Sequence, residues 1–195
     1  MYPTPSPKCR NRGLTLVELV VTLMVGTALI SIAASASREM TGRSRMSSAV
    51  NELLGHIHLA RSEAVKRRQK VILCPSTDGS GCKPTIEWQE GYMVFVDSDQ
   101  DGERDDGEPL LRLAKNRKQQ KDGEMLILIR SSRTERGRKK ITYFPEGISR
   151  GQTATFTFCD RQKHAIPMAI IISPTGRPRL STTRSRGEPI VCPEA

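Results

Sequence analysis

The sequence predicts an α+β protein, with one long N-terminal helix packed on an antiparallel, β-rich C-terminal domain. Three observations carry this prediction. Residues 14–37 form an unbroken apolar run, and no proline occurs from Lys8 to Cys74. After Gln69 the texture changes to short apolar and β-branched runs separated by segments rich in Gly, Pro, Asp, Lys and Arg.

The apolar run, LTLVELVVTLMVGTALISIAASAS, is long enough to cross a hydrocarbon layer as a helix, which takes ~20 apolar residues. Glu18 is its one ionisable residue. A carboxylate inside such a span is costly and needs a partner. Before it, residues 1–13 contain Lys8, Arg10 and Arg12 and no acid, which places the N-terminus in the cytoplasm. A secretory signal has a shorter apolar core followed by a small-residue cleavage site. Here the plausible site, Gly13-Leu14, comes first, so the apolar segment stays on the mature chain and cleavage creates an α-amino group near Glu18.

Beyond the run, Val50, Leu53, Leu54, Ile57, Ala60, Ala64 and Val65 recur at three- and four-residue steps, an amphipathic stripe that continues the helix. One helix from about Leu14 to Arg68 would extend ~80 Å. The chain therefore divides into a cleaved leader (1–13), a membrane or filament-core helix (14–37), an amphipathic second half (38–70) and a β-rich domain (71–195). Candidate strands are Val71–Cys74, Tyr92–Val96, Met125–Arg130, Ile141–Phe144, Thr153–Phe158, Met168–Ser173 and a short Ile190–Cys192.

Five cysteines become four once the leader takes Cys9 away. An even set in an exported domain implies two disulfides. Three pairings are open; Cys74–Cys82 with Cys159–Cys192 is preferred because each closes a local loop.

The formal net charge is +10, and +7 without the leader. It is unevenly spread. From Pro109 onward there are 18 Lys and Arg against 7 Asp and Glu, whereas residues 97–108 hold seven acids and only Arg104 in return. A basic half of this size suits a polyanion such as nucleic acid or anionic lipid, or simply keeps the chain in solution. The cluster Arg133, Arg136, Arg138, Lys139 and Lys140 is a secondary basic candidate. In the acidic segment, Asp97, Asp99, Asp101, Asp105 and Glu108 occupy places 1, 3, 5, 9 and 12 of an EF-hand-like calcium loop, with Gly102 at place 6. No flanking helices are evident, and plain β-turns give the same composition. Without an ion, repulsion among the acids should leave the loop mobile. His56, His58 and His164 share no face or motif, and no nucleophile motif or phosphate-binding glycine loop is present, so no enzymatic activity and no other cofactor are expected.

Gly13-Leu14-Thr15-Leu16-Val17-Glu18 closely resembles the type IV prepilin processing motif. The resemblance implies cleavage after Gly13 by a prepilin peptidase and methylation of the new N-terminal Leu14, where the family usually has Phe. It also places Glu18 as the fifth mature residue, set to meet the N-terminus of a neighbouring pilin. Cys74-Pro75-Ser76-Thr77-Asp78-Gly79 with Cys82, Trp88 followed by Gly91–Asp97, Phe158-Cys159-Asp160, and Ala169–Arg179 resemble the GspH/FimT group of minor pilins and pseudopilins. Membership implies a type IV pilin-like fold, an inner-membrane single-pass precursor with a periplasmic domain, and assembly into a pilus or pseudopilus with other pilins.

Within that group the FimT-like members bind DNA in natural transformation, and a C-terminal Gly-Arg-x-Arg motif accompanies that role. Gly176-Arg177-Pro178-Arg179 fits it residue by residue. Physically, Thr175-Gly176 makes a tight turn and Pro178 stiffens the link between two arginines. If the stretch is extended, both guanidiniums point to one side and can clamp phosphate oxygens. Arg184 and Arg186 extend the basic loop, and Arg161 and Lys163 are expected to approach from the preceding turn. No aromatic residue lies between Cys159 and Cys192, which favours sequence-tolerant backbone contact over base stacking. Two rival readings follow from the same features: a structural pseudopilin or pilus-priming subunit that contacts only pilins, and a calcium-stabilised tip subunit.

Overall fold

The computed structural model of the chain describes residues 15–115, 127–132, 137–184 and 187–192, with the side chains of 31–38, 127 and 132 left aside. Gly13, Leu14 and Arg186 lie outside the described residues, as do Arg133, Arg136 and the first two residues of the candidate strand Met125–Arg130.

Helix α1 spans Leu16–Arg67. Thr15 caps it: its hydroxyl accepts the N–H of Glu18 and its carbonyl that of Leu19. Thr15 and Glu18 thus hold the Ser/Thr-x-x-Glu spacing of a capping box, and the acid sits in the first turn, where the helix dipole favours it. The chain forms two compact units, Met1–Arg38 and Glu39–Ala195. In the first, Leu16, Val17, Leu19, Leu23, Met24, Leu29 and Ile30 are all exposed. Among the described residues no helix is long and apolar enough to cross a membrane. The described side chains of the apolar run stop at Ile30, short of the ~20 that a span needs, so the span expected over 14–37 extends beyond them.

The second unit has its own core. Met46, Val50, Leu53, Ile57, Ala60 and Ala64 recur at four, three, four, three and four residues and are all buried, as a stripe of period 3.6 requires. Val65, expected on that stripe, is half exposed, and Leu54 is partly buried. Strands follow: β1 (Lys70–Pro75), β2 (Gly91–Asp97), β3 (Leu110–Lys115), β4 (Ile127–Ser132), β5 (Ile141–Tyr143), β6 (Ala154–Asp160), β7 (Met168–Ile172) and β8 (Pro178–Ser181). They form two antiparallel four-stranded sheets, ordered β3-β2-β1-β5 and β4-β6-β7-β8. Val71, Leu73, Val94 and Val96 of the first sheet join Phe156, Phe158, Ile170 and Ile172 of the second and the helix stripe in one cluster. Trp88 fills its middle, edge-on to Phe156, with its indole N–H donated to the Arg138 carbonyl. On the opposite face of the first sheet, Ile72, Cys74, Met93 and Phe95 form a smaller cluster with Leu113. That two-sided burial follows from the alternation of side chains along each strand.

Two strands were absent from the sequence expectation. Leu110-Leu111-Arg112-Leu113 has no clear period-2 signal, and β8 starts with a proline, which an edge strand tolerates at its first residue. Conversely, the expected strand Ile190–Cys192 does not form. Only an isolated bridge joins Thr183 to Pro189, whose ring leaves no N–H to extend a ladder. Both preferred disulfides are present, Cys74–Cys82 and Cys159–Cys192, with Cα separations of 5.6 and 5.8 Å. His56 serves packing: its ring meets Tyr92, Nδ1 lies 3.0 Å from the phenol oxygen, and burial pushes its pKa down.

Candidate functional site

Strands β7 and β8 form a hairpin whose loop is Pro174-Thr175-Gly176. The Gly176 N–H bonds the Ser173 carbonyl at 2.9 Å, and the Ser173 N–H bonds the Arg177 carbonyl at 3.1 Å. This is the pattern of a type I turn, with proline at its favoured second place, closed by a residue in the left-handed region. Gly176 supplies that residue at φ 77°. Its neighbours explain why only glycine fits: a Cβ there would lie 2.8 Å from the Tyr143 ring and 3.1 Å from both the Gly147 carbonyl oxygen and the Ser149 nitrogen. The Tyr143 hydroxyl donates to the Gly176 carbonyl at 2.9 Å, and the Ser173 hydroxyl accepts the Arg177 N–H.

Arg177 and Arg179 are exposed on this frame. Ile172 pairs with Pro178 and Ile171 with Arg179, and the Ser173–Arg177 bond carries the ladder one step further. The two arginines are therefore alternate positions of one extended edge and share a face. Sequence reasoning missed Arg150. The loop that carries it packs on the turn through Gly147 and Ser149, and its guanidinium stacks on Phe144 with 4.3 Å to the ring centre and pairs with Glu146 at 3.3 Å. Arg150 and Phe144 lie far from the motif in sequence, and no local signal links them to it.

The remaining candidates do not join this site. Phe158 pairs with Met168 and Ala154 with Ile172, so Arg161 and Lys163, just past the end of β6, stand at the opposite end of the sheet from Gly176. The separation along β6 is roughly 25 Å at ~3.3 Å per residue. Arg184 follows Ser181, which pairs with Ala169, and so lies toward that far end too. The expectation that Arg161 and Lys163 approach the turn is corrected by the antiparallel register: the turn before β7 and the turn after it are at opposite ends of the strand. Of the secondary basic cluster, Arg138 is half-buried with Nε donated to the Thr153 carbonyl, and Lys140 donates to the Gly102 carbonyl.

The acidic loop lies between β2 and β3. The carboxylate oxygens of Asp97, Asp99 and Glu108 lie within 4.8 Å of one another, as do those of Asp99, Asp101 and Asp105. The loop's own donors already engage several of them. Glu108 accepts from the Ser98 and Asp105 backbone N–H groups, and Asp97 from Gly102, whose φ of 86° makes the sharp turn. The calcium expectation thus rests on spacing and clustering alone. Repulsion among the acids is countered by cations that pin the backbone: Lys70 to the Gln100 carbonyl, Lys140 to Gly102, and Arg104 to the carbonyls of Gly79 and Glu108. Asp97 is held above the usual carboxylate range, first by burial, and Asp105 first by the neighbouring Asp101 charge.

The model of the type II transport protein GspH matches residues 49–176, more than half of the chain. The chain belongs to the GspH family. The prokaryotic N-terminal methylation motif matches residues 8–34, so the protein is a minor pilin or pseudopilin of the GspH type. Among solved structures it is similar to the type IV minor pilin FimU of Pseudomonas aeruginosa, at 21% identity and a TM-score of 0.53, over 71% of this chain and 89% of that one. It also matches the minor pseudopilin EpsH of the Vibrio cholerae type 2 secretion system, at 9% identity and a TM-score of 0.47, over 69% and 94%. No curated protein matches it significantly. The family match ends at Gly176, so Arg177 and Arg179 lie just beyond it.

Proposed function

We propose that this GspH-family subunit is a FimT-like minor pilin that binds extracellular DNA for uptake in natural transformation. One observation carries the reading. Two exposed guanidiniums stand two residues apart on a hairpin turn fixed by Gly176, Tyr143 and Ser173. Such a pair can hold phosphate oxygens without reading bases. The adjoining loop packs on the turn through Gly147 and Ser149 and holds the pair's backbone in place, while its Arg150 is turned onto Phe144 and paired with Glu146. The subunit is made as a prepilin, cut after Gly13 by a prepilin peptidase and methylated on Leu14. It is anchored in the inner membrane through 14–37 and assembled with other pilins through Glu18 and the apolar helix.

Glu39–Ala195 is a compact unit with its own core and both disulfides, so it can be tested alone. Binding of a labelled duplex and a labelled single strand is measured by fluorescence anisotropy at several salt concentrations, for the native unit and for Arg177→Ala/Arg179→Ala. The expected result is salt-sensitive binding that the double substitution weakens at least about tenfold. If the native unit fails to bind at low salt, the receptor role falls and the protein is a structural minor pilin or pseudopilin.

A further inference from the structure

The end of the second sheet that holds Arg161 and Lys163 has a composition of its own. The turn after β6 packs against α1 near the start of the second unit. A Cβ built on Gly42 would lie 2.6 Å from the His164 Cβ and 3.3 Å from an Asp160 carboxylate oxygen. Asp160 winds this turn by accepting the N–H groups of Gln162, His164 and Ala165. The Cys159–Cys192 bond brings the C-terminal segment to the same place, and β8 delivers Arg184 toward it.

This end therefore gathers the exposed Arg43, Arg161 and Lys163 and the half-buried Arg45 and Arg184. Among the described residues its acids are Glu39, paired with Arg43; Asp160, engaged inside the turn; and Glu188. Three large apolar side chains stand exposed at the same end: Met40 at 77%, Ile166 at 69% and Val191 at 68%. One exposed apolar side chain needs no explanation. Three at one end, set among five cations, match the composition of surfaces that lie in a lipid headgroup layer. There apolar side chains enter the acyl boundary and cations meet lipid phosphates.

We propose that this end of the unit is a membrane-surface face that rests on anionic phospholipid, with Met40, Ile166 and Val191 in the headgroup layer and Arg43, Arg161, Lys163 and Arg184 on lipid phosphates. Chain continuity favours a bilayer as the occupant. The apolar run ends at Ser37 and the unit begins at Glu39, so in a membrane-anchored subunit this end is the first to emerge. That placement rests on the anchoring proposed above; the lipid contact itself does not, and it is independent of DNA binding. The face also gives a use to cations that the topology separates from the Arg177 turn.

The test is co-sedimentation of the Glu39–Ala195 unit with vesicles of phosphatidylcholine alone and of phosphatidylcholine mixed with phosphatidylglycerol, at low and physiological salt. The native unit should bind the anionic vesicles only, less tightly as salt rises. Arg161→Gln/Lys163→Asn should weaken that binding roughly 30-fold. Asn suits the left-handed backbone at residue 163, where φ is 57°, so the variant should fold. Ile166→Ser should weaken it roughly tenfold, and Arg177→Ala/Arg179→Ala should leave it unchanged. The proposal is overturned if the native unit ignores anionic vesicles, or if the first pair binds them as the native unit does. It is equally overturned if that pair weakens DNA binding while vesicle binding stays intact.

Discussion

At one end of the second sheet, Arg177 and Arg179 stand on a hairpin turn locked against Tyr143 and Ser149. At the other, Arg161 and Lys163 ride on a turn wound around Asp160 and surrounded by exposed apolar side chains. Both ends are basic, and the sequence counts their charges as one surplus. The antiparallel register divides that surplus into two surfaces with different neighbours. The first has two exposed guanidiniums on a locked turn, which suits a phosphate backbone. The second mixes cations with oily side chains, which suits a bilayer.

The comparison can be broken at either end. The largest effect should come from Cys159→Ser with Cys192→Ser, which frees the far end. The bond closes a separation of 33 residues, against 8 for Cys74–Cys82, so chain entropy assigns it about 4 kcal/mol against about 2.5. Denaturant unfolding of each Ser pair should show that order; equal losses would contradict it. Next is Gly176→Val at the near end. It meets both a left-handed backbone and a 2.8 Å approach to Tyr143, and should cost about 3 kcal/mol and reduce DNA binding. Tyr143→Phe is milder. Losing one buried hydrogen bond to the Gly176 carbonyl should cost about 1 kcal/mol, with weaker DNA binding because the turn loosens. If stability falls and DNA affinity does not, the turn needs no such support.

The smallest expected effect concerns the acidic loop. Asp105 has its pKa raised, first by the Asp101 charge. Its ionised form is disfavoured in the folded state. The resulting penalty is absent below the ordinary carboxylate value and fully present above the raised one. Stability from this group therefore falls as pH rises through that window. Asp105→Asn should remove this part of the pH dependence and leave the melting temperature at neutral pH slightly higher. A lower melting temperature there would mean that the charge serves some stabilising contact.

Much of this was legible in the sequence because it rests on local patterns. The helix stripe from Val50 to Ala64 reads directly as period 3.6, and two of three possible disulfide arrangements are disfavoured by loop length alone. The turn at Gly176 announces itself by Pro174 and glycine at their required places. What was not legible is what register decides. Nothing local says that Arg161 lies far from Arg177, because that follows from which ends of β6 and β7 meet. Strand β3 was hidden for a related reason. Its Leu-Leu-Arg-Leu run opens with an exposed leucine that blurs the alternation, and its place is set by pairing with β2. In the acidic loop, repulsion among the acids is legible, but the contacts of Lys70 and Lys140 with its carbonyls are not, because both lysines come from distant parts of the chain.

The most direct test of the central claim is the salt dependence of duplex binding by the Glu39–Ala195 unit, native against Arg177→Ala/Arg179→Ala. Each phosphate contact adds about 0.9 to the slope of log affinity against log salt. Two lost contacts should lower that slope by about 2 and weaken binding by at least about tenfold at moderate salt. Identical slopes and affinities for the two proteins would contradict the account and move the DNA site away from the β7–β8 turn.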